Sequence, residues 1–292
     1  MTTEQIRYFI ALARELHFMK SAQKVNLTQS AFSRQIQNLE NELQVRLFDR
    51  DNRNVSLTDA GRFLYDKWLP LLDTLEATQL YAQQLERGEQ GVVRISHPPS
   101  ISGTTIPEVV RKISSLYPKL KIELTQFVYG EEAEGLKNYR LDIAYTRDQL
   151  REDAIDSRYI STEPFAFVVS EKSNINTHED LTPEILNRQK FIMPPLMPQS
   201  SYDMSMKSII DKYAIQPGVL IESHFGSAIL ALIEKGYGIS IMPISYEASQ
   251  VKGVRFIPVA FNAELYINWR KNENSPVVER IIRLLAEDNG SM

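Results

Sequence analysis

The chain has 292 residues, 43% of them hydrophobic, and a formal net charge of -4 at pH 7. This length exceeds one ordinary domain and predicts two or three compact units with separate cores. No segment approaches the roughly 18 uninterrupted apolar residues of a membrane span, and the N-terminal residues lack the order of a secretory signal. We therefore expect a cytoplasmic protein without a membrane partner. The lack of cysteine excludes disulfides, thiolate nucleophiles and cysteine-ligated metals.

Charge is divided unevenly along the chain. Residues 1–57 carry eight lysine or arginine residues against six acidic residues, a net of +2, whereas the remaining residues carry 25 against 31, a net of -6. A basic segment favours contact with nucleic acid, although neutral domains show differences of similar size. The pattern by itself is weak support for a nucleic-acid partner.

Three helices are predicted within the first 43 residues. Thr2 and Gln5 form a capping box at the start of the first helix. Its predicted buried face consists of Ile6, Phe9, Ile10, Ala13 and Leu16. A second helix is predicted from about Met19 to Val25, and Thr28 is the predicted N-cap of the third. The third helix is predicted to bury Ala31, Phe32, Ile36, Leu39 and Leu43.

Polar side chains remain exposed at the N-terminal end of the third helix. Two helices joined by about three residues form a helix-turn-helix, whose second helix enters the DNA major groove by this end. Glutamine pairs with adenine, arginine with guanine or phosphate, and hydroxyls fit base edges or phosphate oxygens. The candidate DNA-binding residues are Thr28, Gln29, Ser30, Ser33 and Arg34. An ordinary solvated helix face is the alternative, and composition leaves it equally open.

A charged, turn-rich segment follows the third helix at residues 48–54 and precedes the apolar residues Val55 and Leu57. We interpret it as a small β-wing. A wing of this kind lies beside the groove, where Arg50 and Arg53 would contact DNA phosphates.

About sixty contiguous residues carry a family pattern. They include Phe18, Ala22, Gln29 to Ile36, Leu39, Glu40, Leu43, Leu47, Phe48, Arg50 and the run Leu57-Thr58-Asp59-Ala60-Gly61. With this pattern the segment resembles the winged helix-turn-helix of LysR-type transcriptional regulators. The resemblance implies a regulator that binds a double-stranded DNA operator and, if it is an activator, contacts RNA polymerase. Gln44 departs from the family, which usually has glycine there, and must adopt a left-handed conformation or a different turn.

A long helix is predicted from the N-cap Thr58 to about Arg87. Its apolar positions alternate in steps of four and three, which is a heptad seam. The seam consists of Leu64, Trp68, Leu71, Leu75, Thr78, Ala82 and Leu85. We expect it to form a homodimer, and the family resemblance adds a homotetramer as a possibility; packing on its own domain is the alternative. Pro70 is expected to kink the helix, and Gly88 to Gly91 to form a flexible joint.

The last two hundred residues alternate between strand-like and helix-like segments. Strands are predicted at 92–96, 121–127, 142–146, 165–169, 190–193, 238–243 and 264–269, and helices at 105–117, 202–213, 225–236 and 275–288. This alternation favours α/β units with mainly parallel sheets. The resemblance implies two Rossmann-like lobes joined by two crossing strands, similar to periplasmic binding proteins.

The predicted fold class is therefore α/β with an N-terminal winged helix-turn-helix that is dominated by α-helices. The expected domains are a DNA-binding domain at 1–57, a linker and dimerisation helix at 58–88, and an effector-binding domain at 89–292. Within the last of these, lobe one is expected at 92–161 and 266–292, and lobe two at 162–265.

Several predicted strands end in polar loops that lead into helices, where ligands bind in such folds. Free backbone N–H groups and the helix dipole favour a carboxylate or phosphate there. Together with the resemblance, these loops give the candidate effector-binding residues Ser100, Ile101, Ser102, Phe127, Tyr129, Thr146, Arg147, Ser200, Ser201, Tyr202 and Phe225. The hydroxyl residues also fit simple helix caps, the aromatic residues fit lobe cores, and Arg147 fits a salt bridge with Asp148.

Catalytic and cofactor motifs are lacking in the sequence. The four histidines have no metal-ligand spacing, and there is no nucleophile elbow, P-loop or dinucleotide fingerprint. We expect no cofactor, no metal and no enzymatic activity. The leading interpretation is a DNA-binding regulator controlled by a small anionic effector between the lobes. The rival is a cytosolic solute-binding sensor whose N-terminal domain binds protein in place of DNA, and an enzyme is a distant third.

Overall fold

The computed structural model describes residues 1–50, 55–87, 91–126, 130–195 and 200–287. These residues form two compact units, Met1–Ala82 and Gln83–Met292, here called the N-terminal unit and the C-terminal unit. Within the described ranges, no helix is both long and apolar enough to cross a membrane.

Three short helices begin the N-terminal unit: α1 (Thr3–Glu15), α2 (Phe18–Lys24) and α3 (Gln29–Leu43). The capping box of Thr2 and Gln5 is confirmed at the start of α1. Two predicted burials are wrong. Leu16 ends α1 in the left-handed conformation and is 43% exposed, and Ala31 is exposed because it lies in the first turn of α3, beyond the contact with the other helices.

The core of this unit is aromatic as well as aliphatic. The residues buried in it are Phe9, Ile10, Leu12, Ala22, Phe32, Ile36, Leu39, Leu47 and Phe48. The ring of Phe9 lies 5.5 Å from the rings of both Phe48 and Trp68. These contacts join α1 to the wing and to the long helix, so the three parts share one hydrophobic core.

The predicted wing is confirmed as the antiparallel strands β1 (Phe48–Arg50) and β2 (Val55–Leu57). It leads into α4 (Asp59–Arg87), which begins at the predicted N-cap: the Thr58 hydroxyl accepts from Gly61 N at 2.9 Å and donates to the Arg46 carbonyl at 2.8 Å. A β-carbon added at Gly61 would lie 2.1 Å from the Leu47 carbonyl oxygen. Only glycine lets α4 approach the chain so closely.

The predicted seam on α4 has two different environments. Its first positions, Leu64 and Trp68, pack against the core of the N-terminal unit, so their assignment to a seam between copies is corrected. Further along, Leu71 is 64% and Leu75 is 38% exposed. The helix continues through Pro70, and the hydroxyl of Thr78 bonds the carbonyls of Thr74 and Leu75, which satisfies this polar group within its own helix.

The C-terminal unit contains eight strands and six α-helices within its described residues. The strands are β3 (Val92–Ser96), β4 (Lys121–Thr125), β5 (Ile143–Thr146), β6 (Ile155–Ser170), β7 (Lys190–Met193), β8 (Gly218–Glu222), β9 (Ser240–Pro243) and β10 (Val254–Arg270). The helices are α5 (Thr105–Leu116), α6 (Glu132–Lys137), α7 (Pro183–Leu186), α8 (Ser201–Lys212), α9 (Gly226–Glu234) and α10 (Pro276–Glu287). Strand β8 and helix α7 were missing from the sequence prediction.

One six-stranded sheet runs through both lobes in the order β4-β3-β5-β10-β6-β9, and β7 and β8 form a second sheet. Strands β3, β4 and β5 are mutually parallel, as are β7 and β8. The prediction of mainly parallel sheets is only partly correct, because β10 is antiparallel to β5 and β6, and β9 is antiparallel to β6.

Strands β6 and β10 cross between the lobes and are longer than the sequence predicted. They pair from Val254 with Ser170 to Arg270 with Ile155, with register shifts between Pro258 and Asn262 and at Leu265. The core of lobe one packs α5 and α10 on one end of this ribbon. The core of lobe two packs β7, β9 and α8 on the other end. The two crossing strands of the predicted fold are thus confirmed.

Replacement of Gly61 tests the close approach between α4 and the wing. Alanine normally stabilises a helix by about 1 kcal/mol relative to glycine. We expect Gly61→Ala to destabilise the N-terminal unit by about 1–3 kcal/mol instead, because its β-carbon overlaps the Leu47 carbonyl. Urea unfolding followed by Trp68 fluorescence, in a Trp269→Phe background, measures this unit alone. Arg62→Ala is the control, since Arg62 is the exposed neighbour of Gly61 on the same helix; equal effects of the two changes would contradict the expectation.

Candidate DNA-binding surface and interlobe cleft

The N-terminal end of α3 presents the predicted DNA-binding residues to solvent. Gln29, Ser30 and Arg34 are exposed, and Ser33 is half-buried. Thr28 caps the helix, because its hydroxyl accepts from Ala31 N at 3.3 Å. The first turn of α3 therefore offers amide, hydroxyl and guanidinium groups on one accessible surface, which suits contact with base edges and phosphates.

A carboxylate fixes the wing relative to α3. Glu40, on the C-terminal half of α3, accepts hydrogen bonds from Leu47 N at 2.8 Å and from Phe48 N at 3.1 Å. Gln44 ends the helix with φ of 55°, so of the two expected alternatives it adopts the left-handed conformation. Arg50 belongs to β1, but its side chain lies outside the described part of the structure, as does the whole of Arg53.

The cleft between the lobes contains a buried arginine. Arg147 follows β5 and is 8% exposed. Its guanidinium donates to the Ser100 hydroxyl at 2.6 Å, pairs with the Glu163 carboxylate and reaches the Glu264 carbonyl at 3.4 Å. Its Nε is buried without a hydrogen-bond partner. The structure thus brings Ser100 and Arg147 together, and it leaves one charged donor of Arg147 unsatisfied.

The start of α8 faces the same cleft from lobe two. Ser200 is its N-cap and accepts from Asp203 N at 2.9 Å. The next backbone N–H, that of Ser201, donates to the carboxylate of Asp148 in lobe one at 2.6 Å. A helix N-terminus attracts anions through its free N–H groups and its dipole. Here a carboxylate of the protein itself takes that position.

The remaining candidates have different environments. Thr146 is buried, and its hydroxyl accepts from Asn268 at 2.7 Å and donates to the Asp148 carbonyl at 2.5 Å. Ile101 lies in the core of lobe one. Ser102 is exposed at the end of a short 3-10 helix, and Phe225 is 66% exposed just before α9. The candidates Phe127 and Tyr129 lie outside the described residues.

A pocket of about 610 Å³ opens beside Arg147. Its walls come from α8 and from the crossing strands β6 and β10, and they include Arg147, Ser201 and Tyr202. Tyr202 also packs on the core of lobe two, with its ring 5.1 Å from that of Phe165. Burial raises the pKa of Tyr202, so its hydroxyl stays protonated. Space of this size accommodates a small molecule.

Comparison with known proteins identifies the family. The description "Bacterial regulatory helix-turn-helix protein, lysR family" matches residues 3–62, and "LysR substrate binding domain" matches residues 86–290. The chain belongs to the LysR family. It is a LysR-type transcriptional regulator, with a helix-turn-helix for DNA and a second domain for an effector.

Similar proteins cover nearly the whole chain. The HTH-type transcriptional regulator AlsR of Bacillus subtilis is 28% identical over 97% of this chain and 95% of its own. BenM of Acinetobacter baylyi is 27% identical over 98% and 96%. Among solved structures, full-length CbnR in complex with its target DNA has a TM-score of 0.78 at 21% identity, covering 99% of this chain and 100% of its own. The similarity to the CbnR structure shows that the two chains share a fold.

Three cleft residues of this LysR-family chain, Glu163, Ser245 and Tyr246, were not predicted from the sequence. Glu163 bonds Arg147 and also accepts from Ser245 N at 2.6 Å. Tyr246 is the next residue, and its ring packs so closely on Gly226 that a β-carbon added there would lie 2.3 Å from it. Burial, opposed by the charge of Arg147 and aided by that of Glu163, raises the pKa of Tyr246 to about 12. The predicted strand at 165–169 began after Glu163, and that concealed its place in the cleft.

Substitution of Glu40 tests how the wing is held. We expect Glu40→Ala to lower the free energy of unfolding of the N-terminal unit by about 1–3 kcal/mol, because two backbone N–H groups lose their acceptor. Glu40→Gln keeps an acceptor oxygen and should lose less. The same urea titration with Trp68 fluorescence measures both variants. An alanine variant as stable as the glutamine variant would show that these hydrogen bonds do not hold the wing.

Proposed function

We propose that this regulator reads its operator with Thr28, Gln29, Ser30, Ser33 and Arg34 and anchors to phosphates with Arg50 and Arg53. The single observation that supports the readers is the accessible polar end of α3, beside a wing that Glu40 holds in place. The proposed domains are 1–57 for DNA, 58–88 for dimerisation and 89–292 for the effector. Its operator DNA would place the protein in the bacterial cytoplasm.

Dimerisation is proposed along the C-terminal part of α4. Leu71 and Leu75 are large apolar side chains on one face of a helix, and both are exposed in the single chain. A second copy of the helix would cover them by coiled-coil packing. Two N-terminal units would then meet DNA together and require an operator with dyad symmetry. Pairing of dimers into a tetramer, and contact with RNA polymerase if the protein activates transcription, extend this proposal.

The proposed effector is a small anion such as a carboxylate, bound between the lobes. Its support is Arg147, which is buried and has an unsatisfied Nε, together with the N-terminus of α8. The proposed contacts are Ser100, Ile101, Ser102, Phe127, Tyr129, Thr146, Arg147, Ser200, Ser201, Tyr202 and Phe225. Regulation then follows from a population shift, in which the effector binds one arrangement of the assembly more tightly than another. The proposal requires no cofactor and no catalytic reaction.

Substitution of Arg34 tests operator reading. We expect Arg34→Ala to weaken binding to the upstream region of the protein's own gene by about 10- to 100-fold, the range for loss of a bidentate base contact. Arg14→Ala is a matched control, because Arg14 is also exposed but lies in the last turn of α1. Electrophoretic shifts at several salt concentrations measure both variants.

The same experiment separates the rival function. A DNA-binding regulator loses affinity steeply with added salt and prefers its operator to random sequence. If Arg34→Ala binds the operator as tightly as the wild type does, Arg34 is not a reader. If the wild-type protein shows neither salt dependence nor operator preference, the protein-binding sensor becomes the better interpretation.

Charged substitutions on α4 test the dimer. We expect Leu71→Glu combined with Leu75→Glu to lower the native mass, because two carboxylates per chain would be buried in the seam. Leu80→Glu is the control: Leu80 is 43% exposed on the same helix but faces away by roughly 160° on a helical projection. Sedimentation velocity gives the masses, and circular dichroism checks folding. An unchanged mass of the double variant would place the dimer contact elsewhere.

A further inference from the structure

Both anion-accepting positions of the cleft are occupied by carboxylates of the chain itself. We infer that Glu163 and Asp148 are internal substitutes for the effector's carboxylate, and that an anionic effector binds by displacing them. Glu163 and Asp148 would then set the affinity and selectivity of the cleft. This inference rests on the proposed anionic effector and specifies how that effector binds.

The first position is the guanidinium of Arg147. In proteins, an arginine of this kind binds a ligand carboxylate through paired N–H donors. One of its Nη atoms is engaged by Glu163 and by the Ser100 hydroxyl, while Nε is buried without a partner. Glu163 therefore satisfies only part of the fork. A free carboxylate that approaches along the Nε side would accept from Nε and from this Nη at once. The carboxylate of Glu163, which is part of β6, accepts only from Nη.

The second position is the N-terminus of α8. Asp148, in lobe one, accepts from Ser201 N at 2.6 Å. The contact joins the two lobes through a carboxylate placed on a helix N-terminus, where effector anions are expected in this kind of fold. Displacement of Asp148 by a ligand would replace a contact between the lobes by a contact through the ligand.

Glu163 also links two parts of the cleft. Its second oxygen accepts from Ser245 N at 2.6 Å, at the start of the 3-10 helix Ile244–Ser249. The hydroxyl of Ser245 is buried and has no hydrogen-bond partner. Nε of Arg147 and the Ser245 hydroxyl are thus two unsatisfied buried donors, and they belong to the two residues that hold the Glu163 carboxylate. A buried donor without a partner costs free energy. A ligand that accepts hydrogen bonds from these donors removes that cost, which Glu163 does not do.

The charge of the cleft makes the internal carboxylates competitors. Glu163 and Asp148 bring two negative charges to the single positive charge of Arg147. Glu132 is close enough to Asp148 to feel its charge; burial raises the pKa of Glu132, and Asp148 raises it further. An added anion is therefore repelled until an internal carboxylate moves away. If the carboxylates compete with the effector, removing the charge of one of them should strengthen anion binding. If they only form ion pairs that support the site, removing the charge should weaken anion binding.

Neutral variants of the two carboxylates test the inference. Glu163→Gln and Asp148→Asn keep the shape and an acceptor oxygen but remove the charge. Glu264→Gln is the matched control, because Glu264 lines the same pocket but its carboxylate bonds Tyr266. The full-length proteins are titrated calorimetrically, and by thermal melting, with sodium acetate, phenylacetate and succinate against sodium chloride of equal ionic strength. Ethylamine and phenethylamine serve as cationic probes, and circular dichroism checks each fold.

The expected result is at least tenfold tighter carboxylate binding by Glu163→Gln, by Asp148→Asn or by both, with Glu264→Gln like the wild type. Carboxylate binding that is equal to or weaker than wild type in both neutral variants would overturn the inference and leave the anionic effector standing. If amines stabilise the wild type and carboxylates bind no variant, the cleft takes cations, and both the inference and the proposed anionic effector fail. If neither class of probe binds any variant, both fail as well.

Discussion

The pairing of β6 with β10 is the constraint on which the C-terminal unit depends. These strands run side by side from one lobe core to the other and contribute neighbouring strands to a single sheet. Each lobe packs its helices on a different end of the same ribbon. The middle of the ribbon carries Glu163 and Glu264, which bond the cleft arginine by side chain and by backbone. A change in twist there would move the lobes and the effector site together.

Polar groups are concentrated where the ribbon meets the lobes. Arg147, Asp148 and Glu163 form contacts from lobe one to the ribbon and to lobe two. Arg147 is buried and its contact with Glu163 is partly buried, whereas the contact of Asp148 with Ser201 N is exposed. Buried ionic contacts contribute little net stability, but breaking one of them is costly. Such contacts suit a cleft in which a ligand replaces the chain's own carboxylates. The free energy lost when the internal contacts break is recovered only if the ligand forms matching contacts.

Much of the fold was predictable because periodicity and caps are local signals. The capping box of Thr2 and Gln5, the cap at Thr58 and the helices of the N-terminal unit followed from spacing alone. Strand β8 was missed, and β6 was predicted too short, since its half-exposed residues lack a clean alternation. Strand β10 was also predicted too short, although its buried residues alternate from Ile257 to Ile267. In the cleft, Arg147 and Ser200 were found from their loops, but Glu163 acts through long-range contacts that no local pattern reveals.

The fit at Gly61 has a mechanical consequence. Because α4 touches the Leu47 carbonyl without a side chain between them, and Trp68 packs on Phe9, the helix cannot slide on the DNA-reading module. Its 29 residues make a rod of about 43 Å at 1.5 Å per residue. A tilt of about ten degrees about one end then displaces the other end by roughly 7 Å, around twice the spacing of adjacent base pairs. Because Gly61 fixes the start of α4 on the N-terminal unit, a small tilt of the helix is transmitted along its length as a rigid-body movement.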